Sequence, residues 1–487
     1  MSSTPEMSVS RRRFAAGALG AALSLRGRPG LAQAPLDGVR AACNGAVAEL
    51  QRYAAKQNMR LSACFVDLTS GQPLAEAGAH EPQNPASNQK LLTLALALDR
   101  LGPNHRFTTA LHGRSAAADS LSELVLRSNG DPELSLGGLE QLARGLAEQG
   151  VRRIDGDVWV DQSAFDDAWD PPGYEQQPDE WSVFRAPVSA VSVGGNTLTL
   201  RVLATTEGAP ARAWLSPAGI ATLSGEVLTT GPRGPQNVRF NLKPQGDELE
   251  ALVAGRVPSG GNELSFARRI ARPALAPGRV LQVLLKNHGI AVAGQLRLGG
   301  ADVQAERVSL RSRTLAEMGH ALGKHSDNFV AEMWLKALAA NDKPGSSAAG
   351  ARLIEDYLQR LGAFDAGSRV SNGSGLFDAN RVSAWALTRV LVSVFHDPRI
   401  GPDFVATLSI GGLDGTLSQR FKAYRGERCV RAKTGSLASV TALSGYLLRQ
   451  RAPLAFSLLL NGVNGKQVDA RAKLDASIDT VLKAVAP

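Results

Sequence analysis

Ser87-Asn-Gln-Lys-Leu-Leu-Thr-Leu-Ala-Leu-Ala-Leu98 is the stretch that decides the fold class of this chain. It follows the turn-like run Glu81-Pro-Gln-Asn-Pro-Ala86, and after Lys90 it carries no charge. Serine is preferred at helix starts, so the pattern predicts that Ser87 opens a largely buried helix. Residues three apart lie on one helical face, which puts Lys90 within reach of the Ser87 hydroxyl. The alternative is a capping serine followed by a solvated lysine, but a solvated face is hard to place on so apolar a helix.

Two further motifs follow along the chain. Ser326-Asp327-Asn328 lies between helical patterns at 314–322 and 329–339, and Lys433-Thr434-Gly435 precedes a β-type pattern. Taken singly, the first is explained by a turn with a helix cap and the second by a strand end with a turn glycine. Neither explanation accounts for both motifs occurring downstream of Ser87 and Lys90.

The order of the three motifs carries more information than any one of them. A Ser-x-x-Lys match is expected about once by chance in a chain this long, and each of the other two in roughly one such chain in twenty. All three in order, each in a fitting context, make coincidence a poor explanation. Together they supply a nucleophile, a candidate base, a proton relay and an anion clamp, which is nearly a complete site for acyl transfer.

Composition and charge narrow the class of protein. With 487 residues, 44% apolar and 20% charged, the chain has the make-up of a soluble globular protein of two or three domains. The formal net charge is +9, but residues 1–34 contribute +4 of it and the remaining +5 is scattered. Such a surface favours anionic wall polymers, whereas binding to nucleic acid is disfavoured because the charges after residue 34 form no basic run.

The N-terminus has the pattern of an export signal. Ser10-Arg-Arg-Arg-Phe14 is a twin-arginine motif, an uncharged run from Ala15 to Leu25 follows, and Ala32-Gln-Ala34 is a small-x-small cleavage site. The apolar run is too short to span a bilayer. Residues 1–34 are therefore predicted to be a removed twin-arginine signal, the mature chain to begin near Pro35 without an integral membrane segment, and the location to be periplasmic.

Three cysteines, Cys43, Cys64 and Cys429, occur in the sequence. An exported protein with three cysteines could form one disulfide and leave one thiol, and the spacing fits no metal site. Any pair remains open, because the sequence does not choose between them.

Periodicity changes twice along the chain. A helix (36–57), two strands (61–68 and 74–78) and the Ser87 helix come first, and helical patterns resume at Thr314 before strands and a last helix close the chain. Between them lie short β-patterned runs, predicted as strands: 124–127, 157–161, 197–202, 238–242 and 279–285. The economical interpretation is a catalytic domain in two pieces, 35–105 and 309–487, with a β-rich insertion at 106–308.

With these motifs the chain resembles the penicillin-binding D-alanyl-D-alanine carboxypeptidase/endopeptidase family that has a large insertion after the nucleophile helix. Ser326 lies 239 positions after Ser87, and simple β-lactamases lack such an insertion. Further stretches like those of the family are Leu101-Gly-Pro-Asn-His-Arg-Phe-Thr-Thr109, Asn129-Gly-Asp-Pro132, Arg185-Ala-Pro-Val-Ser-Ala190, Gly373-Ser-Gly-Leu376 and Gly412-Leu-Asp-Gly-Thr-Leu417.

The resemblance implies an α/β (α+β) fold of the serine DD-peptidase/β-lactamase type. This fold has an antiparallel sheet flanked by helices, an all-helical subdomain and, here, the β-rich insertion. The implied activity is that of a serine D-alanyl-D-alanine carboxypeptidase/endopeptidase acting on peptidoglycan stem peptides and cross-links. β-Lactam antibiotics are its implied covalent inhibitors, and no cofactor or metal is implied.

The catalytic roles implied by the resemblance fall on five residues. Ser87 attacks the carbonyl of the penultimate D-alanine, and Lys90 accepts its proton if burial and the charge of Lys433 lower the lysine pKa enough. Ser326 passes a proton to the leaving nitrogen, and Asn328 hydrogen-bonds the substrate amide. His325, beside the second motif, is taken as a neighbour and not as a base.

Substrate binding is implied at a second group of residues. Lys433 and Thr434 of the third motif clamp the terminal carboxylate, and Gly435 is a further substrate-binding residue. The backbone N–H groups of Ser87 and Ser436 form an oxyanion hole. In relatives, residues matching Asp179 and Phe184 approach the substrate side chain.

The chain departs from the usual family pattern at two places. It has Asn372-Gly-Ser-Gly-Leu-Phe-Asp378 where relatives usually read Asp-Gly-Ser-Gly-Leu-Ser-Arg, so an aspartate replaces an arginine that helps to hold the diamino-acid carboxylate. Ala438 replaces a glutamine of some relatives. Recognition of the diamino-acid end is therefore expected to differ.

Two other functions compete with the DD-peptidase. A β-lactamase-like hydrolase would turn penicillin over steadily, but the long insertion and the lack of an evident deacylating glutamate near Ser326 disfavour it. A non-catalytic peptidoglycan-binding protein would fit the altered stretch at 377–378, yet it leaves Ser87, Lys90 and Lys433 unexplained.

Overall fold

The computed structural model describes residues 34–246, 248–300, 302, 305–341 and 343–485. The predicted export segment, 1–34, lies outside these residues except for its last position. The described chain begins with elements close to those predicted: helix α1 (Ala34–Lys56), strands β1 (Arg60–Asp67) and β2 (Pro73–Ala77), a 3-10 turn (Ala86–Asn88) and helix α2 (Gln89–Leu101).

Strands dominate the middle of the chain, with two helices among them. In chain order the elements are β3 (Thr108–Ala117), β4 (Ser120–Ser128), α3 (Leu136–Glu148), β5 (Arg153–Ile154), β6 (Val158–Asp161), β7 (Thr197–Leu203), β8 (Arg212–Ser216), β9 (Thr222–Thr230), β10 (Arg239–Gln245), β11 (Glu248–Pro258), β12 (Leu264–Arg269), α4 (Ala276–Asn287), β13 (Ala291–Val292), β14 (Leu296–Leu298) and β15 (Glu306–Arg311).

The strand predicted at 279–285 is wrong, because this segment lies inside helix α4. Its buried side chains Val280, Leu281, Leu284 and Leu285 follow the spacing of one helical face. A proline in the first turn suits a helix start, since its missing N–H would have no partner there. The valine and leucine content of this segment suggested a strand, but its buried residues pack as the apolar face of a helix.

Helices and then strands complete the chain. The helices are α5 (Leu315–Gly323), α6 (Asn328–Ala337), α7 (Ser347–Arg360), α8 (Ala384–Phe395) and α9 (Gly401–Thr407). After them come β16 (Ser409–Ile410), β17 (Val430–Leu437), β18 (Val440–Leu447), β19 (Leu454–Asn461) and α10 (Gln467–Ala484).

A six-stranded antiparallel sheet joins the two ends of the described chain, in the order β16-β17-β18-β19-β1-β2. Alternate side chains of β1 enter two cores, as the pleat requires. Ala63 and Phe65 pack in a core with α1 and α10, whereas Cys64 and Val66 pack in one with α2 and α5–α8. The sheet is thus covered by helices on both faces, and the predicted fold class is confirmed.

The middle of the chain forms its own sheets. A mixed seven-stranded sheet and two three-stranded sheets use only strands between Thr108 and Arg311. Their buried apolar side chains form a core of their own, with members from Leu111 to Ile290. This arrangement supports the proposed insertion at 106–308, although β15 runs three residues past its predicted end.

The three cysteines are buried and unpaired, so the disulfide considered from the sequence is not formed. Burial also raises the pKa of Cys43 and of Cys64 to about 12, which keeps both as inert thiols. Among the helices of the described residues, none combines the length and apolar character that crossing a bilayer requires.

Candidate active site

Ser87 lies in a tight turn that precedes the buried helix. The 3-10 turn spans Ala86–Asn88 and α2 starts at Gln89, so the prediction that Ser87 itself opens the helix is wrong by two residues. Ala86 has a φ of +47°, a left-handed conformation that is uncommon for a residue with a side chain. The Asn84 Oδ1 atom accepts a hydrogen bond of 2.9 Å from the Ala86 N–H and holds this conformation.

Two glycines allow the surrounding chain to approach the turn. A Cβ atom on Gly375, where φ is +75°, would lie 1.8 Å from the Ala86 carbonyl oxygen. A Cβ atom on Gly435 would lie 2.9 Å from the Pro85 carbonyl oxygen. Gly435, predicted as a substrate-binding residue, thus lets strand β17 lie directly beside the nucleophile turn.

Lys90 is buried directly under Ser87. Its Nζ atom lies 3.1 Å from Ser87 Oγ and donates to Asn328 Oδ1 at 2.7 Å and to the Ser374 carbonyl oxygen at 2.7 Å. The lysine is 1% exposed, so these three oxygens replace its water shell. The spacing on the helix and the two distant acceptors together aim the amine at the serine hydroxyl.

Burial lowers the pKa of Lys90 from 10.5 to about 7, because a charged amine is disfavoured away from water. The carboxylates of Glu332 and Asp327 oppose this effect in part. A substantial fraction of Lys90 is therefore neutral near pH 7, the state in which it can accept the serine proton.

Ser326 and Lys433 form the opposite wall. Lys433 Nζ donates to Ser326 Oγ at 2.8 Å and to the Thr434 carbonyl oxygen at 2.9 Å. Ser326 has a φ of +58° and precedes Asp327, which caps α6 by accepting from the Val330 N–H. Burial, together with the charge of Lys90, lowers the pKa of Lys433.

Asn328 connects the motifs to the middle of the chain. While its Oδ1 atom accepts from Lys90, its Nδ2 atom donates to the Phe184 carbonyl oxygen at 2.8 Å. This bond anchors the 3-10 turn Val183–Arg185 against the start of α6. Phe184 is thereby held beside the site, with its side chain exposed.

A cleft of about 530 Å³ opens above Ser87. It is lined by residues of all three motif regions and of the middle segment, which include Asn84, Ser87, Gln176, Phe184, Ser326, Asn328, Phe377, Asp378, Ser436 and Ala438. A second cleft of about 660 Å³ shares Phe184, Ser326 and Asn328 with it. Asp179 is exposed and lines neither of these two clefts, so its predicted contact with substrate stays a prediction.

Asp378, the aspartate found where relatives have arginine, already has a partner. Its carboxylate pairs with Arg381 at 2.6 and 2.9 Å and accepts from Asn84 Nδ2 at 3.0 Å. The hydrogen bonds from Arg381 hold the pKa of Asp378 below its usual value. Phe377 beside it has a φ of +61° and stacks edge-on against Tyr174.

Three contributors to the site were not recognised in the sequence. Ser374 offers its carbonyl oxygen to Lys90, Thr416 accepts the Thr434 hydroxyl at 2.9 Å, and Glu332 accepts backbone N–H groups behind Lys90. Ser374 and Thr416 stand within the quoted family-like stretches. The signal for Glu332 is an acid four residues after Asn328, in a helix whose other charged residue is Lys336.

The structure thus brings the three motifs, far apart in sequence, around one serine hydroxyl. Lys90, whose pKa burial lowers to about 7, adjoins the hydroxyl, and a second buried lysine, Lys433, donates to Ser326 at the cleft. On an antiparallel sheet with a helical subdomain, this arrangement defines a serine hydrolase of the penicillin-binding class.

Comparison with known proteins identifies the family. The model of the D-Ala-D-Ala carboxypeptidase 3 (S13) family matches residues 46–484. The D-alanyl-D-alanine carboxypeptidase of Actinomadura sp. (strain R39) is 33% identical over 425 residues, covering 82% of this chain and 77% of that protein. The chain belongs to the D-Ala-D-Ala carboxypeptidase 3 (S13) family and is a serine-type D-Ala-D-Ala carboxypeptidase.

Other relatives agree with this assignment. The D-alanyl-D-alanine carboxypeptidase DacB of Haemophilus influenzae is 25% identical over 420 residues, covering 84% of this chain and 86% of that protein. The crystal structure of penicillin binding protein 4 (dacB) from Haemophilus influenzae superposes with a TM-score of 0.71 at 24% identity, covering 83% and 90% of the two chains. This structural similarity supports the assigned fold.

Proposed function

We propose that this peptidase cleaves the bond between the two terminal D-alanine residues of peptidoglycan stem peptides, and the D-alanyl bond of cross-links, through an acyl-enzyme on Ser87. The observation that carries the proposal is the 3.1 Å separation of Ser87 Oγ from the buried Lys90 Nζ. A serine hydroxyl is a weak nucleophile until a neighbouring base takes its proton. A lysine with a pKa of about 7 is such a base.

In acylation, Ser87 Oγ bonds to the carbonyl carbon as its proton moves to neutral Lys90. The C–N bond then breaks, and the proton that Lys90 accepted passes by way of Ser326 Oγ to the leaving amine, so that Lys90 is neutral again. Ser326 is suited to this relay because it lies 2.8 Å from Lys433 Nζ. Water next attacks the ester as Lys90 accepts a proton from it; the bond to Ser87 Oγ breaks, and Lys90 returns the proton to that oxygen.

Two backbone N–H groups, those of Ser87 and Ser436, would stabilise the oxyanion, since both residues line the same cleft. Loss of one such donor typically costs about 2.7–4 kcal/mol of transition-state stabilisation. Lys433 and Thr434 would hold the terminal carboxylate. An anion bound beside the Lys433 amine favours its charged form and so opposes the lowering of its pKa by burial.

The rate of acylation by penicillin should rise with pH through about 7. Because burial lowers the Lys90 pKa to about 7, the amine is mostly protonated below that pH and mostly neutral above it. Only the neutral amine accepts the Ser87 proton, so a tenfold fall in rate is expected for each pH unit below the midpoint. Stopped-flow acylation rates from pH 5 to 9 measure this; a rate independent of pH would contradict Lys90 as the base.

The location follows from the N-terminal sequence. We propose that residues 1–34 direct export by the twin-arginine route and that the mature chain works in the periplasm, where peptidoglycan lies. The proposed division into a catalytic domain (35–105 and 309–487) and an insertion (106–308) is supported by the core that the insertion forms from its own residues, although Phe165, Ala186, Val188 and Ala190 of the insertion pack in the core around α2 and α6.

One experiment separates this function from the alternatives. The purified protein is incubated with penicillin and followed by intact mass spectrometry, and in parallel with a peptide ending in D-Ala-D-Ala. A persistent adduct together with D-alanine release is the expected result. Steady penicillin turnover without D-alanine release would establish a β-lactamase-like hydrolase, and neither reaction would favour a non-catalytic peptidoglycan-binding protein.

A further inference from the structure

Glu332 is a buried carboxylate that the mechanism above does not use. It lies on α6 one helical turn after Asn328, is 0% exposed, and has Ala331, Met333 and Trp334 as buried neighbours on the helix. Burying a carboxylate is costly unless the surroundings replace its hydration. A residue placed there at such cost is a candidate for a role beyond packing.

The backbone groups that hydrogen-bond to the Glu332 carboxylate belong to one turn, Gly373–Ser374. Its Oε2 atom accepts from the Gly373 N–H at 3.0 Å, and its Oε1 atom accepts from the Ser374 N–H at 2.7 Å. These two bonds orient the peptide groups of the turn, and the turn presents the Ser374 carbonyl oxygen to Lys90 Nζ at 2.7 Å. Helix α6 therefore holds the lysine twice, directly through Asn328 and indirectly through Glu332.

We propose, on the basis of the function proposed above, that Glu332 is a positioning residue for the catalytic base. Its carboxylate fixes the Gly373–Ser374 turn that aims the Lys90 amine at Ser87. Its carboxylate also favours the protonated form of that amine, against the larger opposite effect of burial.

The charged and titratable groups around Lys90 determine the direction in which loss of the Glu332 charge moves the Lys90 pKa. From α6, Glu332 and Asp327 favour the protonated amine, with Glu332 the stronger of the two. The Lys433 amine on β17 has its own pKa lowered by burial and by the charge of Lys90, and the Tyr174 hydroxyl nearby is uncharged because burial raises its pKa well above 10. Removing the Glu332 charge therefore lowers the pKa of Lys90 and extends its neutral form to lower pH.

The test is the pH profile of penicillin acylation in the full chain with Glu332→Gln. The amide is isosteric but uncharged, and it offers one acceptor where the turn needs two. We expect the midpoint of the rising limb to move down by about one pH unit. The plateau rate is expected to fall about tenfold because the turn is less firmly held.

Thr93→Val is the matched control. Thr93 Oγ1 donates to the Gly373 carbonyl oxygen at 2.8 Å, so the valine loosens the same turn without changing any charge. The control is expected to lower the rate at every pH and to leave the midpoint where it is. If Glu332→Gln does the same, Glu332 is a structural support only and the proposal is overturned.

A second variant keeps the proposal testable if Glu332→Gln does not fold. Asp327→Asn retains a capping side chain for α6 and removes the weaker of the two charges. A downward shift of the midpoint that is smaller than one pH unit is expected, and no shift would overturn the electrostatic part of the proposal. Failure of the proposed function would look different, since the unmodified protein would then form no penicillin adduct at any pH.

Discussion

Ser87→Ala should abolish the covalent penicillin adduct and lower D-alanine release at least ~10⁴-fold. The replacement removes the only atom through which an acyl-enzyme could form in the proposed mechanism, while the oxyanion donors and the carboxylate clamp stay in place. Those remaining groups account for the residual rate, as they do when the nucleophile of other serine enzymes is removed. Intact mass spectrometry and D-alanine release measure the two effects.

Ser439→Ala is the matched control for this experiment. Ser439 lines the same cleft but has no part in the proposed chemistry, so its alanine variant is expected to form the adduct at a rate within a few-fold of the parent chain. Since Ser87 occupies a strained turn, thermal unfolding of both variants should be recorded. A mass adduct that persists in Ser87→Ala would show that another residue is acylated and would refute the mechanism.

Lys90→Met should lower the acylation rate by about 10²–10⁴-fold, the usual contribution of a general base. Methionine nearly matches the lysine in shape, so the loss reports on the amine and not on packing. The variant also leaves the Asn328 Oδ1 atom and the Ser374 carbonyl oxygen without their donor, and removing one partner of a buried interaction costs stability. The melting temperature is therefore expected to fall, and the acylation rate is measured by stopped-flow well below it.

Lys336→Met supplies the comparison. This lysine is equally buried and lies two helical turns after Asn328 on α6, but its Nζ atom donates to Asp166 at 2.6 Å and to the Ala168 carbonyl oxygen at 2.7 Å. Its loss should cost stability, since Asp166 is left without its partner, and should leave the acylation rate of the folded protein almost unchanged. Equal rate losses in the two variants would mean that Lys90 acts only as a structural cation.

The sequence predicted much of the architecture because periodicity is a local property. Most of the helices and strands that were predicted with bounds lie within a few residues of them, but helix α3 in the middle of the chain was not predicted. Helix α4 shows the limit: a short run rich in valine and leucine suits either element, and only its neighbours decide which face is buried. The disulfide was a similar case, since three cysteines permit a bond that the fold does not bring about.

For the site, the sequence was enough to identify the groups that take part and to predict one contact, that of Ser87 with Lys90 across a single helical turn. The contacts between the three motifs, and the burial of their side chains, arise only in the folded chain. The bonds of Lys90 to Asn328 and of Lys433 to Ser326 join residues 238 and 107 positions apart. The fold also pairs Asp378 with Arg381, keeps Asp179 out of the lining of the cleft and places Glu332 behind the base. The reason is physical: the pKa of an amine and the reach of a carboxylate depend on burial and on distant partners, which only the folded chain supplies.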